Sequence, residues 1–390
     1  MDVDSLEAGF LEKFGKSDEA IHVFFAPGRV NMIGEHTDYN EGYVFPCALD
    51  YGTYLMARKT GDSTLRLATT NFNYAPEIPL DKLKEKHEGE WVNFPLGVID
   101  QLKNKGLQME GLEMMFSGDI PNGAGLSSSA SIELVTAVAL NELFSLGISQ
   151  LELVKLSQKA ENEFVGMNCG IMDQFAVGMG AKNKAIFLDC ETLDYELVPF
   201  EVKGFKIVIS NTNLQRKLTD SQYNERRSQC EKALEYLNQG GGSYKNLGKI
   251  RPEEFEEIQE RIPDPLVCKR ARHVITEDER VLKATRALKD NDLLLFGQLM
   301  NASHESLKND YEVTGFELDT LAEEARKIDG VLGSRMTGAG FGGCTVSLVK
   351  DESVDEFVER VGKEYEKKTG IKPDFYIANI GDGAKKLETR

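Results

Sequence analysis

Residues 121–133 read PNGAGLSSSASIE, a run of small residues directly before a predicted helix. Glycine and alanine let a ligand approach the backbone, and the serines precede a run with apolar residues at helical spacing. One interpretation is a flexible loop with a serine N-cap. The other is an anion site, because the first N–H groups of a helix lack intrahelical partners and face the positive end of its dipole. The local sequence leaves both open.

Length, charge and cysteine content limit the class of protein. A chain of 390 residues exceeds one typical core, so we expect two domains, 1–195 and 196–390, with a cleft between them. A net charge of -18 argues against a nucleic-acid or membrane partner. The six cysteines lack metal-like spacing, which indicates free thiols in a reducing compartment. No secretory signal and no apolar run of ~18 residues is found, so we expect a cytoplasmic protein.

The hydrophobic pattern predicts a mixed α/β organisation without repeats. The apolar run 21–27 predicts a strand that ends at Pro27, and 42–60 predicts two strands around a turn. Helical spacing begins at Ser131 and returns over 149–166. Two strands are predicted at 184–190 and 205–212. Helices follow over 252–328, then a strand at 343–349 and an amphipathic helix from residue 351.

Two glycine patterns are rejected as nucleotide motifs. GFLEKFGKS at 9–17 has five residues between its glycines where a P-loop needs four, and it lies within a helical pattern. GAGFGG at 338–343 is followed by a strand-like run, whereas a dinucleotide fingerprint is followed by a helix. The second pattern is therefore a glycine-rich turn whose role the local sequence leaves open.

The stretch APGRVNMIGEHTDYNEGYVFP at 26–46 concentrates hydrogen-bonding groups directly after a buried strand. Arg29, Glu35, His36 and Asp38 lie within ten residues of one another. Such groups are costly to bury unless a polar ligand satisfies them. A metal site and a surface loop are alternatives, but the metal site lacks a second histidine at ligand spacing. A polyol-binding loop is favoured, because carboxylates accept hydrogen bonds from neighbouring hydroxyl groups.

The segment GRVNMIGEHTDYNEGYVFP resembles the galactokinase signature. PNGAGLSSSAS and SRMTGAGFGGC resemble the second and third motifs of the GHMP small-molecule kinase superfamily, and CGIMDQ narrows the resemblance to the galactokinase family. The family fold combines α/β and α+β architecture in two domains. The resemblance implies an N-terminal mixed-sheet domain with a left-handed β-α-β crossover, against the usual right-handed rule. It also implies a C-terminal α+β domain and an active site in the cleft.

The resemblance implies transfer of the ATP γ-phosphoryl group to the anomeric hydroxyl of galactose. Asp173 matches the catalytic aspartate and Arg29 its partner. Whether Asp173 removes the hydroxyl proton or only positions the hydroxyl stays open. The family's sugar contacts match Glu35, His36, Thr37, Asp38, Gly170 and Tyr223. Among these, Asp38 is expected at the C3 and C4 hydroxyls, and Glu35 with His36 toward the C6 hydroxyl.

For the nucleotide, the resemblance favours the anion site over the flexible loop. The implied ATP contacts are Thr69, Gly123, Ala124, Gly125, Leu126, Ser127, Ser128 and Ser129. Mg²⁺ is implied at Ser129 and Glu161. N-acetylgalactosamine kinase, a non-catalytic galactose and ATP sensor, and a mevalonate- or homoserine-type kinase are the alternatives. The complete GLSSSAS motif argues against the sensor, and GEHTDYN argues against the last. We expect a monomer whose partners are galactose and ATP.

Overall fold

The computed structural model of the protein describes residues 3–121, 124–201, 203–214 and 219–390. The strands are β1 (His22–Asn31), β2 (Tyr43–Val44), β3 (Pro46–Lys59), β4 (Thr64–Thr69), β5 (Glu77–Pro79), β6 (Leu112–Gly118), β7 (Lys184–Asp189), β8 (Tyr195–Pro199), β9 (Phe205–Asn211), β10 (Val331–Thr337), β11 (Cys344–Lys350), β12 (Asp374–Ala378) and β13 (Lys385–Thr389). The α-helices are α1 (Val3–Phe14), α2 (Asn93–Asn104), α3 (Ser128–Leu143), α4 (Gln150–Ala160), α5 (Met172–Met179), α6 (Thr219–Gln239), α7 (Pro252–Ile258), α8 (Pro265–Lys289), α9 (Leu293–Ser306), α10 (Gly315–Ala325) and α11 (Val354–Thr369).

A six-stranded sheet in the order β13-β1-β3-β6-β4-β5 forms the first layer. Within the described strands of this sheet, β4 and β6 pair in parallel and the other neighbours are antiparallel. Helices α2 to α5 cover one face, where Phe24, Leu55, Leu134 and Phe175 are fully buried together. The sheet is therefore mixed, as predicted. The left hand of the crossover between β4 and β6 stays a prediction.

A four-stranded antiparallel sheet in the order β10-β11-β9-β12 is the sheet of the second unit, which has α+β architecture. α10 and α11 pack on it through Leu321, Phe357 and Tyr365. A smaller, three-stranded antiparallel sheet has the order β2-β7-β8. Strand β13 returns to pair with β1, so the last residues of the chain belong to the first sheet. The boundary near residue 195 stays a prediction.

The predicted end of β1 at Pro27 is wrong, because the strand continues to Asn31. β13 pairs only with residues 22–25, so Pro27 faces no strand on that side and loses no ladder hydrogen bond there. The register with β3 shifts between Pro27 and Arg29. A Cβ on Gly28 would lie 2.8 Å from the carbonyl oxygen of Leu126, so glycine allows the strand to approach the start of α3. This approach brings Arg29 to the site.

Two helix boundaries also differ from the prediction. α3 begins at Ser128, three residues before the predicted start. α4 ends at Ala160 and is followed by a π-helical turn, Glu161–Val165, instead of continuing as an α-helix. Such turns often occur at functional sites, because they change the direction of a side chain within a helix. Here the turn begins with Glu161.

The rejected nucleotide motifs have the surroundings that the sequence predicted. GFLEKFGKS falls mostly within α1, and GAGFGG forms the turn between β10 and β11. All six cysteines are free thiols. Among the residues that the structure describes, no helix has the length and apolar character needed to cross a bilayer.

Candidate active site

A cavity of about 290 Å³ brings together most of the predicted site residues. Its walls come from the EHTD loop (residues 34–41), the π-helical turn, the start of α5, and the glycine turn (residues 338–343). The predicted residues that line it are Arg29, Glu35, His36, Asp38, Ser129, Glu161, Gly170, Asp173 and Tyr223. Residues separated by more than 190 positions in the chain therefore share one site.

Arg29 and Asp173 form a two-point ion pair at the wall of this cavity. Nε and Nη2 of the guanidinium each lie 2.8 Å from one carboxylate oxygen of Asp173. Nη1 donates to the carbonyl oxygen of Gly125 at 2.8 Å. The Arg29 side chain is 5% exposed, whereas that of Asp173 is 29% exposed. The arginine is thus enclosed, and the carboxylate stays accessible from the cavity.

The phosphate loop (residues 124–129) leads into α3 in a conformation that leaves the helix start open. Ser127 is the N-cap residue and has a left-handed backbone, with φ 62°. Its side chain does not cap the helix; the hydroxyl donates to Oδ2 of Asp173 at 2.7 Å. The first N–H groups of α3 are therefore available to an anion. Gly123, also predicted here, lies outside the described residues.

Glu161 lies beside Ser129 at the start of the π-helical turn. Its side chain is buried, and it accepts hydrogen bonds from the Ser129 hydroxyl and, at 2.5 Å, from Nε2 of Gln174. Burial, and then the charge of Asp173, raises the pKa of Glu161. A hydroxyl and a carboxylate are hard oxygen ligands of the kind that Mg²⁺ prefers. No group of three metal-binding side chains occurs among the described residues, so phosphates and water would complete such a site.

Two residues next to this pair were missed from the sequence. Gln174 also donates to Oε2 of Glu133 at 3.1 Å, so its amide links two buried carboxyl groups. Burial, and then Glu161, raises the pKa of Glu133 well above its usual value. Both could have been found from spacing, because Glu133 is four residues after Ser129 on α3 and Gln174 directly follows Asp173.

Asp38 faces the cavity at the point where Gly170 passes close to it. A Cβ on Gly170 would lie 1.8 Å from Oδ2 of Asp38, so only glycine fits there. Burial, and then the charge of Asp173, raises the pKa of Asp38 to about 6. A desolvated carboxylate of this kind gains most when a ligand donates hydrogen bonds to it.

Glu35 is held by the protein on several sides. It accepts hydrogen bonds from Nη1 of Arg335 at 2.9 Å and from the backbone N–H of Gly338 at 2.6 Å. The side chains of Asn31 and Thr337 also donate to it. Burial raises the pKa of Glu35, and Arg335 acts in the opposite direction. Arg335 was missed from the sequence, because 300 residues separate it from its partner.

Tyr223 and Thr37 differ in their relation to the cavity. Tyr223 lines it, with its ring 5.7 Å from that of His36 and 5.3 Å from that of Tyr39. Thr37 is fully buried, and its hydroxyl lies 2.9 and 2.7 Å from the carbonyl oxygens of Gly34 and Tyr43. It is not among the residues that line the cavity. Its sugar contact stays a prediction, and the geometry shows it stabilising the EHTD loop.

A second cavity of about 200 Å³ meets the first at Ser129. Thr69 and Ser128 line it, together with the aromatic side chains of Phe72, Trp91, Phe94 and Phe116. The start of α3 therefore lies between a polar cavity and a mostly aromatic one. This arrangement suits a ligand with a flat apolar end and an anionic end.

Three family models match the chain. Residues 8–59 match the galactokinase galactose-binding signature, 93–181 the GHMP kinases N terminal domain, and 284–367 the GHMP kinases C terminal domain. The galactokinase of Clostridium beijerinckii is 52% identical over 388 residues, which are 99% of each chain. The chain belongs to the galactokinase family. The galactokinase of Bacillus subtilis is 50% identical over a stretch of the same length, again 99% of each chain.

Solved structures agree with this membership. The galactokinase of Lactococcus lactis, in complex with galactose, superposes with a TM-score of 0.96 at 48% identity, covering 99% of this chain and 100% of that one. Mevalonate kinase from Methanococcus jannaschii gives a TM-score of 0.67 at 20% identity over 93% of this chain and 99% of its own, which shows the shared fold. The enzyme thus has the two-domain GHMP kinase fold. The predicted family, fold class and galactokinase activity are confirmed.

Proposed function

We propose that this galactokinase transfers the γ-phosphoryl group of ATP to the anomeric hydroxyl of galactose in the first cavity, giving galactose 1-phosphate and ADP. The observation that carries the proposal is the Arg29–Asp173 pair, which lies between the EHTD loop and the phosphate loop. The solved relative that contains galactose, at 48% identity, supports the same sugar here.

Asp173 is the group that receives or orients the anomeric hydroxyl. Oδ2 already accepts from Nη2 of Arg29 and from Ser127, whereas Oδ1 accepts only from Nε of Arg29 in the described residues. Oδ1 therefore keeps a lone pair for the sugar hydroxyl. As the oxygen attacks phosphorus, its proton passes to this carboxylate or stays hydrogen-bonded to it until late in the transfer. Arg29 holds the carboxylate in place and offers positive charge beside the phosphate loop.

Asp38 determines which sugar binds. Its carboxylate accepts hydrogen bonds from the C3 and C4 hydroxyls, and Glu35, His36 and Tyr223 border the remaining sugar edge. Galactose and glucose differ only in the orientation of the C4 hydroxyl. A buried carboxylate that loses its donor costs about 1–3 kcal/mol or more. The site therefore discriminates against glucose mainly through Asp38, with Gly170 allowing the close approach.

The phosphates bind at the start of α3, where Gly125, Leu126 and the serines supply backbone N–H groups. Ser129 and Glu161 would hold Mg²⁺, which neutralises phosphate charge when bound. Gln174 keeps Glu161 in place by donating to one of its oxygens. The second cavity takes the adenine base between its aromatic side chains, with Thr69 at the edge.

We further propose that the enzyme works in the cytoplasm as a monomer, with a domain boundary near residue 195. An acidic net charge of -18 supports the absence of nucleic-acid and membrane partners. Size-exclusion chromatography with light scattering tests the monomer. A mass near 43.4 kDa is expected, and a stable dimer contradicts it.

The substrate assignment is tested by ADP release with galactose, N-acetylgalactosamine, glucose and mevalonate side by side. We expect galactose to give the highest kcat/KM, with glucose lower by up to roughly 10⁴-fold. Asp38→Asn keeps the shape and removes the charge, so it should narrow the galactose-to-glucose ratio. An unchanged ratio in a folded Asp38→Asn enzyme would mean that another group reads C4, and preference for N-acetylgalactosamine would identify the alternative kinase.

A further inference from the structure

A chain of four hydrogen-bonding side chains runs from the sugar cavity into the core. Nδ1 of His36 lies 2.8 Å from the hydroxyl of Tyr39, which lies 2.8 Å from that of Tyr311. The Tyr311 hydroxyl lies 3.1 Å from Sγ of Cys230. His36, Tyr311 and Cys230 are buried, and Tyr39 is partly buried at the cavity wall. We call this set the His36–Cys230 chain.

The other ring nitrogen of His36 fixes the direction of every hydrogen bond in the chain. Nε2 lies 3.2 Å from the carbonyl oxygen of Ala339, and a carbonyl only accepts, so Nε2 carries a proton. Burial lowers the pKa of His36 to about 3, so the ring is neutral and Nδ1 must accept. Tyr39 therefore donates to His36, Tyr311 donates to Tyr39, and Cys230 donates to Tyr311.

The His36–Cys230 chain connects three elements that border the sugar cavity with a fourth, buried element. His36 and Tyr39 belong to the EHTD loop, and Ala339 belongs to the glycine turn. Cys230 lies on α6, the helix that also carries Tyr223. Tyr311 ends the π-helical turn Leu307–Tyr311 after α9. The rings of His36 and Tyr311 are in contact, with centroids 4.8 Å apart.

We infer that Tyr39 and Tyr311 are positioning residues that hold the His36 ring in place, with Nδ1 accepting from Tyr39 while Nε2–H donates to Ala339, so that neither ring nitrogen offers the cavity an acceptor. The ring then keeps the glycine turn beside the sugar through Ala339. The effect on galactose rests on the proposed function, whereas the tautomer itself does not. Tyr39 supplies the direct donor to Nδ1, and Tyr311 orients Tyr39, so loss of the first hydroxyl has the larger effect.

The tautomer is measured by ¹⁵N NMR of the histidine ring nitrogens in the full-length enzyme without substrate. The His36 signals are assigned by their loss in His36→Gln. In the wild type we expect a protonated Nε2 and an unprotonated Nδ1. In Tyr39→Phe we expect Nε2 to stay protonated, because Ala339 still accepts from it, and the Nδ1 signal to shift, because Nδ1 loses its hydrogen-bond donor. A wild-type Nδ1 that carries the proton, or an unchanged spectrum in Tyr39→Phe, overturns the inference.

Kinetics separate positioning from general loss of structure. Tyr39→Phe should raise the galactose KM up to about tenfold, with kcat and the ATP KM within about threefold, as expected for one lost hydrogen bond. Tyr311→Phe should show the same pattern more weakly. Cys230→Ser keeps a hydrogen-bond donor, so its galactose KM should match that of the wild type. Tyr236→Phe, on α6 but outside the His36–Cys230 chain, is the matched control.

Two outcomes of these kinetics contradict the inference. A raised galactose KM with unchanged ring-nitrogen shifts means that Tyr39 binds the sugar itself. Equal changes in the Tyr236→Phe control mean that any lost tyrosine hydroxyl has this effect. If Tyr39→Phe does not fold, Tyr311→Phe carries both measurements. If the ring-nitrogen signals behave as expected but no variant changes the galactose KM, the proposed effect on galactose binding is wrong and the assigned tautomer of His36 is right.

Discussion

The hydroxyl of Ser127 lies 2.7 Å from Oδ2 of Asp173, so the N-cap residue of α3 also holds the proposed catalytic carboxylate. Most helix N-caps use such a hydroxyl to satisfy a backbone N–H of their own helix. Here the hydroxyl is directed to α5, and the start of α3 remains free for phosphate. This hydrogen bond joins the phosphate loop directly to Asp173, in addition to the link through Arg29.

Ser127→Ala should lower kcat by about tenfold, because one charge-assisted hydrogen bond is lost while Arg29 still holds both oxygens. The ATP KM should change little, since the backbone N–H groups remain. Steady-state kinetics check this. Ser149→Ala removes an N-cap hydroxyl far from the site, on α4, and serves as the control. An unchanged kcat in Ser127→Ala would show that Asp173 does not need this bond.

Arg29→Lys should reduce kcat by at least about 100-fold. An ammonium group has no planar fork, so it cannot bond both Asp173 oxygens and the Gly125 carbonyl together. Arg58→Lys, at a buried arginine that bonds Glu113 away from the cavity, controls for loss of a buried guanidinium. Rates and unfolding midpoints are measured for both variants. Turnover within tenfold of the wild type would assign Arg29 a structural role only.

The raised pKa of Asp38 predicts a pH-dependent gain in stability on Asp38→Asn. Burial, and then Asp173, raises this pKa from 3.8 to about 6, so the native state binds the proton more tightly than the unfolded state does. The free energy of unfolding of the wild type therefore falls as the pH rises from 4 to 6, through this group. Asparagine has no charge to desolvate.

Thermal unfolding midpoints of both proteins without substrate, between pH 4 and pH 8, check this dependence. The midpoint difference, variant minus wild type, should be small near pH 4, grow toward pH 6 and stay constant above it. Titrating groups that both proteins share shift both midpoints equally, so they do not affect this difference. A difference that shrinks as the pH rises would contradict the raised pKa.

Ser129→Ala and Glu161→Gln should each raise the Mg²⁺ concentration needed for half-maximal rate by about tenfold, because each removes one proposed oxygen ligand. Galactose affinity without nucleotide, measured by calorimetry, should stay within about threefold, since neither change removes a group assigned to the sugar. Glu163→Gln, on the exposed side of the same turn, is the matched control. Loss of sugar affinity equal to the loss in metal response would indicate a folding defect instead.

The resemblance of the local motifs to the galactokinase family predicted Arg29, Asp173 and the phosphate loop. The structure brings Arg29 and Asp173 together as an ion pair, and their catalytic roles stay a prediction. The strands and helices that were predicted away from the site followed the hydrophobic periodicity, whereas several others, among them β6 and β13, were not predicted. The end of β1 was mispredicted, because the tolerance of Pro27 depends on where β13 stops pairing, some 360 positions later. Arg335 was missed for a similar reason, since its role exists only through Glu35. The π-helical turn Glu161–Val165 was predicted as part of a regular α-helix, because its apolar residues keep the helical spacing of the segment before it.

The central claim is that Asp173 acts on the anomeric hydroxyl while Arg29 holds it, and one measurement tests it directly. Single-turnover formation of galactose 1-phosphate is followed in Asp173→Asn and wild type at saturating ATP and galactose. We expect a rate lower by about 10²- to 10⁴-fold, as for loss of a positioned acid–base group, with both affinities within about threefold. A folded Asp173→Asn enzyme that keeps more than about a tenth of the wild-type rate would remove Asp173 from the reaction.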